Sequence, residues 1–159
     1  MFSKLFKKQP LQVYAPVKGE LVSLEKVPDP VFSEKMMGEG LAIVPSEGRI
    51  SSPVEGTIIL VADTKHAVGI QANDGTELLI HIGLETVALG GEGFNTHVKA
   101  GDKVSVGQLL IEVDLAFISE HAKSTVTPIV VTNSQDRTIQ YMEINGYVSG
   151  ESIIMSITK

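Results

Sequence analysis

The residues best suited to chemistry are two histidines on either side of one turn signal. His66 and His81 lie in TKHAVGIQANDGTELLIHIGLETV, residues 64–87, and together make up half of the histidines of the chain. Asn-Asp-Gly at 73–75 separates two apolar runs. Because Asp-Gly accepts the positive φ angles of a tight turn, this stretch predicts a β-hairpin with one histidine on each strand.

The register of that hairpin decides whether the histidines meet. With Asp-Gly as a two-residue loop, Val68 pairs with His81 and His66 pairs with Gly83. His66 then lies diagonal to His81 on the same face, with a Cα separation of roughly 7–8 Å. A slip of one residue would send the two side chains to opposite faces. The predicted register therefore brings the imidazoles together.

Converging imidazoles leave three chemistries open. They are a zinc site, general acid–base catalysis, and covalent catalysis with histidine as the nucleophile. A catalytic zinc usually takes three protein ligands, and the hairpin supplies two. Covalent phosphorylation needs one nucleophilic nitrogen, a neighbouring donor and a group that fixes the tautomer. His81, His66 and Thr64 could supply the first two of these; the alternative is that the histidines are ordinary core residues.

The elements that must position these residues are short strands. Brief β-branched runs such as GTIILVA, ELLIHI and PIVVT alternate with Gly- and Pro-containing turns, which is typical of an all-β sandwich or barrel. Only residues 115–122 suggest a helix, of one or two turns. PVKGELV at 16–22 and PVEGTII at 53–59 share Pro-Val-x-Gly before a strand, which hints at two similar β-motifs packed together.

Composition restricts the partners. The 159 residues suit one globular domain, and no apolar stretch approaches the roughly 18–20 residues of a membrane span. A net charge of -6 with 13 scattered Lys and Arg argues against nucleic acid. The chain has no cysteine, which excludes disulfides, thiolate nucleophiles and cysteine metal sites. Proteins or small molecules remain as partners.

The amino-terminal residues MFSKLFKK form a separate feature. Their apolar part is too short for a secretory signal, so we expect a cytoplasmic protein. We expect residues 1–12 to be a flexible basic amphipathic tail and residues 13–159 to be the domain. Residues 1–8 could touch an anionic membrane surface, and a frayed terminus is the alternative.

Four blocks of the sequence resemble one protein family. They are VPDPVFSEKMMGEGLAI at 27–43, TKHAVGI at 64–70, LLIHIGLETVALGGEGF at 78–94 and AKSTVTPIVVTN at 122–133. Together they are similar to the glucose-type enzyme IIA of the bacterial phosphoenolpyruvate-dependent sugar phosphotransferase system. The resemblance runs from about residue 13 to 157. It implies an antiparallel β-sandwich of the barrel-sandwich type, built as a duplicated hybrid motif, with one or two short helical turns.

The resemblance also implies a phosphoryl relay. His81 matches the histidine that takes a phosphoryl group from phospho-HPr and gives it to a cysteine of enzyme IIB, which works with the membrane permease IIC. His66 matches the second active-site histidine, Thr64 the threonine that orients it, and the carbonyl near Gly83 would hold the nucleophile's other nitrogen. No cofactor is required. Zinc on His66 and His81, completed by a carboxylate of a partner, and regulatory protein partners are further implications.

Both transfer partners must press close to His81, so its surroundings should be apolar with an acidic rim. Our candidates are Val31, Phe32, Val68 and Leu79 for the apolar patch and Asp29 and Glu85 for the rim. Val68 and Leu79 are equally compatible with the core of a sandwich. Glu85 stands where Asp is common in the family, and Leu79 and Ala62 stand where some members have Phe, so this surface is less aromatic.

Two other classes have some support in the sequence. VKAGDKVSVGQLLIEVD at 98–114 is similar to biotinyl and lipoyl carrier domains, but these need a lysine where the chain has Leu115 and Ala116 after Asp114. A zinc peptidase of the lysostaphin type needs His-x-His, and the chain has His81-Ile82-Gly83. We therefore favour the phosphoryl carrier. His97 and His121 lie in polar contexts and are expected to be solvated.

Overall fold

The computed structural model describes residues 9–142 and 146–159. Residues 1–8, most of the predicted amphipathic tail, lie outside the described ranges. Leu11 and Gln12, which we assigned to the tail, are instead the first residues of a strand and pair with Ile157 and Ser156. Leu11 packs against the hydrophobic core of the domain. The domain therefore begins two residues earlier than we expected.

Short strands dominate the described residues, with two short α-helices between them. The helices are α1 (Pro30–Ser33) and α2 (Leu115–His121), the second where the sequence predicted it. Neither helix is long enough to cross a membrane. Single 3-10 turns occupy Leu24–Lys26, Thr86–Leu89 and Ser134–Asp136. The strands are β1 (Leu11–Tyr14), β2 (Gly19–Ser23), β3 (Glu39–Pro45), β4 (Arg49–Ser51), β5 (Gly56–Val61), β6 (Ala67–Ala72), β7 (Glu77–His81), β8 (Phe94–Thr96), β9 (Lys103–Val104), β10 (Leu109–Val113), β11 (Thr127–Val131), β12 (Thr138–Tyr141), β13 (Tyr147–Val148) and β14 (Ile153–Thr158).

These strands form three antiparallel sheets. The largest has the order β13-β2-β3-β11-β7-β6-β5-β9, and the two smaller ones have the orders β1-β14-β12 and β4-β10-β8. Side chains from all three sheets share one core, to which β7 contributes Leu78 and Ile80, β14 contributes Met155, and β10 contributes Ile111. Successive residues of a strand point to opposite faces of its sheet, so one face of each sheet can contribute to this core. The predicted antiparallel β-sandwich is confirmed.

The repeated Pro-Val-x-Gly sequence marks an approximate two-fold relation within the fold. The Tyr14 amide donates to the Pro53 carbonyl at 3.0 Å, and the Ser51 amide donates to the Pro16 carbonyl at 2.8 Å. The valines that follow the two prolines are both buried in the main core. The two copies therefore pack against each other reciprocally at the starts of β2 and β5, as the internal repeat suggested.

The hairpin of β6 and β7 forms, but our predicted register is wrong by one residue. The Ala72 amide bonds to the Thr76 carbonyl at 2.8 Å, so the loop has three residues, 73–75, and Gly75 takes the positive φ of 94°. Ala67, and not Val68, pairs with His81. An Asp74 carboxylate oxygen accepts from the Thr76 amide at 2.9 Å, and this bond favours the longer loop over the two-residue turn.

A second, smaller apolar cluster lies on the outer face of the large sheet. Residues 24–33, which include the first 3-10 turn and α1, cross over this face and bury Leu24, Val27 and Phe32 against it. Leu79 of β7 and Ala67 of β6 belong to the same cluster. The covering segment, residues 24–33, therefore reaches the end of the hairpin where His81 lies.

Candidate functional site

The two histidines meet, as predicted, although through a different register. Their ring centroids are 4.9 Å apart with an interplanar angle of 78°. His66 lies just before β6, after Lys65 in the left-handed conformation, so strand alternation does not apply to it. The His66 carbonyl accepts from the Ile82 amide at 2.7 Å, which holds the residue beside the end of β7. The turn before the strand, and not the strand itself, directs this imidazole towards His81.

One ring nitrogen of each histidine is held by the protein. Nδ1 of His81 lies 2.8 Å from the Gly83 carbonyl oxygen, and because a carbonyl only accepts, Nδ1 carries the proton. Nε2 of neutral His81 then has a free lone pair. Nδ1 of His66 lies 2.7 Å from the Thr64 hydroxyl. Thr64, His66, His81 and Gly83 thus have the contacts that the family resemblance implied.

Burial favours the neutral form of both imidazoles. Desolvation lowers the pKa of His81, while the hydrogen bond to Gly83 and the negative charge of Asp29 oppose this shift. Desolvation and the neighbouring His81 lower the pKa of His66, opposed by a hydrogen bond to the backbone of Thr64. Because an imidazole acts as a nucleophile only when unprotonated, the lowered pKa increases the fraction of His81 that is in the form able to act as a nucleophile.

The loop after His81 is held rigidly from behind. Gly83 has a positive φ of 74°, and a Cβ there would lie 2.7 Å from Thr86 Cγ2 and 2.9 Å from the Ser124 carbonyl oxygen. The buried Thr86 hydroxyl donates to the Ile82 carbonyl at 2.7 Å. The fixed loop holds the Gly83 carbonyl in place, and that carbonyl sets the tautomer of His81.

Backbone strain is concentrated around this site. Within the described residues, three non-glycine residues have a positive φ near 60°: Lys35, Lys65 and Glu85. Lys65 precedes His66, Glu85 follows the loop after His81, and Lys35 lies just beyond the covering segment. Such conformations cost on the order of 1 kcal/mol each and are retained where surrounding contacts impose them.

The covering segment supplies the nearest partner-binding candidates. Phe32 is only 4% exposed, and its ring centroid lies 5.0 Å from that of His81. Asp29 caps α1 through the Val31 amide at 3.0 Å, and its charge acts on His81. Val31 is exposed. Phe32 therefore forms one wall of the site, while Asp29 and Val31 lie on the surface next to it.

One candidate, Val68, must be corrected. It is 0% exposed and faces the main core, because Ala67 and not Val68 shares the face of His81. Val68 therefore cannot line an exposed patch. Leu79 does lie on the face of His81, two residues before it, and is 9% exposed. Glu85 is exposed beside the loop that holds His81.

An irregularity in β5 adds two apolar residues that the sequence analysis missed. The pairing of β5 with β6 shifts between Ile58 and Leu60. Both Ile59 and Leu60 come within 3.3 Å of where a Gly69 side chain would stand, and Gly69 pairs with Leu79 on the outer face. They are 45% and 51% exposed. A β-bulge, which one sequence does not reveal, places two consecutive side chains on one face.

The other histidines do not join the site. His97 is exposed and lies 2.5 Å from a carboxylate oxygen of Glu112, and His121 is exposed and stacks on Phe117. Over residues 9–142 and 146–159, no three His, Asp or Glu side chains come together as a set of metal ligands. His66 and His81 could supply two ligands to a metal, and a third would have to come from another molecule.

A family model described as "phosphoenolpyruvate-dependent sugar phosphotransferase system, EIIA 1" matches residues 11–137. The chain is 47% identical to the "PTS system glucose-specific EIIA component" of Staphylococcus epidermidis, over 99% of both chains. It is 52% identical to part of the "PTS system glucose-specific EIICBA component" of Staphylococcus carnosus, over 90% of this chain and 21% of that one.

Two solved structures are similar to this chain, one over nearly its whole length and one in fold alone. "Glucose permease IIA from Mycoplasma capricolum" superposes with a TM-score of 0.89 at 38% identity, over 96% of this chain and 97% of that one. A putative peptidase M23 from Pseudomonas aeruginosa has a TM-score of 0.50 at 23% identity, over 77% of this chain and 45% of that one, which shows a shared fold alone. The chain belongs to the EIIA type 1 family of the phosphoenolpyruvate-dependent sugar phosphotransferase system.

Proposed function

We propose that His81 is the phosphorylated residue of this chain, which is a phosphoryl carrier in sugar uptake. The observation that supports this proposal is the 2.8 Å contact between His81 Nδ1 and the Gly83 carbonyl, which leaves Nε2 as the free nucleophile. In the first transfer, the Nε2 lone pair forms a bond to phosphorus while the bond from phosphorus to the donor breaks. In the second, a cysteine sulfur of the acceptor attacks phosphorus and the bond to Nε2 breaks.

His66 acts in this proposal as a hydrogen-bond donor to the phosphoryl group. When the Thr64 hydroxyl donates to Nδ1 of His66, the ring proton lies on Nε2. That N–H can then donate to a phosphoryl oxygen on His81, whose ring centroid is 4.9 Å away. Phosphoryl transfer depends mainly on positioning and charge stabilisation, which is what a held donor supplies.

The surface around His81 would receive both transfer partners, phospho-HPr and the cysteine-bearing IIB domain that serves the IIC permease. We define the docking surface as the exposed side chains of Val31, Ile59 and Leu60, underlain by the largely buried Phe32 and Leu79, with Asp29 and Glu85 at its rim. Strand spacing and rise place Leu60 about 12 Å from His81 between Cα atoms. A typical interface of about 800 Å² per partner has a radius of about 16 Å, so an interface centred on His81 would include Leu60.

Three further proposals rest on family membership. HPr, enzyme IIB and regulatory proteins would meet this chain in the cytoplasm. Residues 1–8 would provide a peripheral contact with anionic lipid through their lysines. Zinc is not required for transfer; it would bind His66 and His81 only when a partner adds a carboxylate, because a catalytic or structural zinc takes at least three protein ligands.

The direct test is the intact mass of the protein after incubation with phosphoenolpyruvate, enzyme I and HPr. We expect the mass to increase by one phosphoryl group that is labile in acid and stable in alkali, and we expect no increase for His81→Ala. His97→Ala is the matched control, because His97 is exposed and remote, and it should be phosphorylated normally. Phosphorylation of His81→Ala would exclude His81 as the acceptor.

The same assay separates the two histidines. His66→Gln should still accept a phosphoryl group from phospho-HPr, because the nucleophile and its carbonyl partner are intact. Its transfer to enzyme IIB should be slow, because the glutamine amide, although still a donor, is not held by Thr64 in the place of the imidazole N–H and cannot take up a positive charge beside the phosphoryl oxygens in the second transition state. If His66→Gln blocked acceptance and left donation unchanged, the two roles would have to be exchanged.

A further inference from the structure

Two segments must stay in contact for the site around His81 to keep its shape. The loop after β7 holds His81 through the Gly83 carbonyl at 2.8 Å. The covering segment places the Phe32 ring 5.0 Å from the His81 ring on the other side. These segments are far apart in sequence, so packing alone, or a specific tie, must join them.

Lys123 contacts both segments. Its backbone amide donates to the Leu84 carbonyl at 3.2 Å, and the next residue, Ser124, accepts from the Leu84 amide at 2.9 Å in an isolated antiparallel bridge. Its side-chain Nζ donates to the Pro28 carbonyl at 2.9 Å, across 95 residues of sequence. One residue thus fixes the loop after His81 with its backbone and the start of α1 with its side chain.

The carbonyl of Pro28 is well suited to this tie. It stands between Val27 and Asp29, directly before the cap of α1, and within the described residues no backbone N–H donates to it. Its position determines where Asp29 and the helix that carries Phe32 begin. A charged donor makes a stronger and more directional bond to a carbonyl than a neutral one, so an ammonium group is an effective tether even near solvent.

We propose that Lys123 is a positioning residue for phosphoryl transfer, which clamps the Pro28–Phe32 turn onto the loop that holds His81. The inference rests on the role of His81 in phosphoryl transfer. Without the tie, the turn is held to this loop by packing alone, and the Phe32 ring and the Asp29 carboxylate lose their fixed position against the imidazole. Small displacements of such groups lower transfer rates because the reacting atoms must be aligned in the transition state.

The test compares single-turnover phosphorylation by phospho-HPr in the wild type, Lys123→Met and Lys123→Arg. Methionine keeps the length and packing of the side chain but removes the donor, and we expect a rate about fivefold lower. Arginine can still reach the Pro28 carbonyl and should restore most of the rate. Lys99→Met is the matched control, because Lys99 is an exposed lysine paired with Asp102, and it should leave the rate unchanged.

Two additional measurements separate positioning from charge and from failure of the site itself. At high salt the loss should persist, because screening removes a remote charge effect but not a lost hydrogen bond. A loss that disappears at high salt, or no loss at all, would overturn the proposal. In ring-proton NMR titrations at high salt, where the lost lysine charge is screened, His81 of Lys123→Met should still have a higher pKa than in the wild type, because a loosened Phe32 exposes it to water. Absence of phosphorylation in the wild type would instead refute the proposed function.

Discussion

Gly83→Ala tests whether the carbonyl that holds His81 is fixed by the backbone around it. An alanine at this position must adopt a φ of 74°, which costs about 1–2 kcal/mol for a residue with a Cβ. Its Cβ would also stand 2.7 Å from Thr86 Cγ2 and 2.9 Å from the Ser124 carbonyl oxygen. Thr86 is buried and cannot rotate away without losing its bond to Ile82, and the Ser124 atom is backbone. Overpacking of this kind costs about 1–3 kcal/mol.

The two effects add to an expected destabilisation of about 2–5 kcal/mol. Gly90 provides the matched control, because it has a φ of 62° and a Cβ there would meet nothing within 4 Å. Gly90→Ala therefore carries the backbone cost alone, about 1–2 kcal/mol. The free energy of unfolding of each variant, measured by urea denaturation, gives the cost of the clash as a difference between them.

The functional consequence is measured under conditions where both variants are folded. Relief of the clash must move the Gly83 peptide by several tenths of an ångström, which weakens the bond that sets the tautomer of His81. We expect the rate of phosphorylation by phospho-HPr to fall about tenfold in Gly83→Ala and to remain near wild type in Gly90→Ala. Equal stabilities together with a wild-type rate for Gly83→Ala would refute the idea that the loop is rigid.

Two other substitutions test the electrostatics and the docking surface. Asp29→Asn keeps the cap of α1 but removes a negative charge that raises the pKa of His81, so this pKa should fall and the acidic limb of the phosphorylation rate should move to lower pH. NMR titration measures the pKa of His81, and Asp114→Asn, at the cap of α2, is the control. A rise in the pKa of His81 would contradict the assignment. Leu60→Ser removes an apolar side chain from the docking surface and should raise the KM for phospho-HPr about fivefold with kcat unchanged, because about 1 kcal/mol of apolar burial is lost. The control is Val106→Ser, in the turn after β9 and 41% exposed, which should leave both constants unchanged. Equal effects of the two substitutions would show that Leu60 is not part of the interface.

The sequence predicts the strands and the meeting of the histidines, but for a reason that is partly wrong. Turn residues and alternating apolar positions are local signals, and they correctly indicate an antiparallel sandwich and the hairpin of β6 and β7. The three-residue loop is held locally by Asp74, which accepts from the Thr76 amide, and from 58 residues away by Asn133, which donates to the Gly75 carbonyl at 3.0 Å. The second contact is invisible to a local analysis, and the one-residue difference in register places Val68 in the core and not on the predicted surface.

The position of His66 shows the complementary case. A shift of one residue in the register of the hairpin should have placed the two imidazoles on opposite faces. His66, however, precedes β6 and follows Lys65 in the left-handed conformation, so the alternation of side chains along the strand does not apply to it. The resemblance to enzyme IIA matched Thr64, His66 and His81 correctly as neighbours, because short motifs record an arrangement without explaining its geometry. It gave no role to Lys123, although AKSTVTPIVVTN, which contains this lysine, was one of its four blocks. In the sequence, a lysine in a polar stretch cannot be distinguished from an ordinary surface residue, because its bond to the Pro28 carbonyl is visible only in the structure.

The second apolar cluster gives the site a stability of its own. Phe32, Leu79 and Ala67 pack on the outer face of the large sheet, while the main core lies on the other face. Because the covering segment is short and joined to the sheet by few buried side chains, it can detach locally at a smaller free energy than the whole fold requires. Native-state hydrogen exchange should therefore find amides of residues 24–33 opening well before those of β7 or β11. The burial that lowers the pKa of His81 is maintained by this local equilibrium, so a mutation can impair the carrier by shifting it while the melting temperature of the protein stays the same.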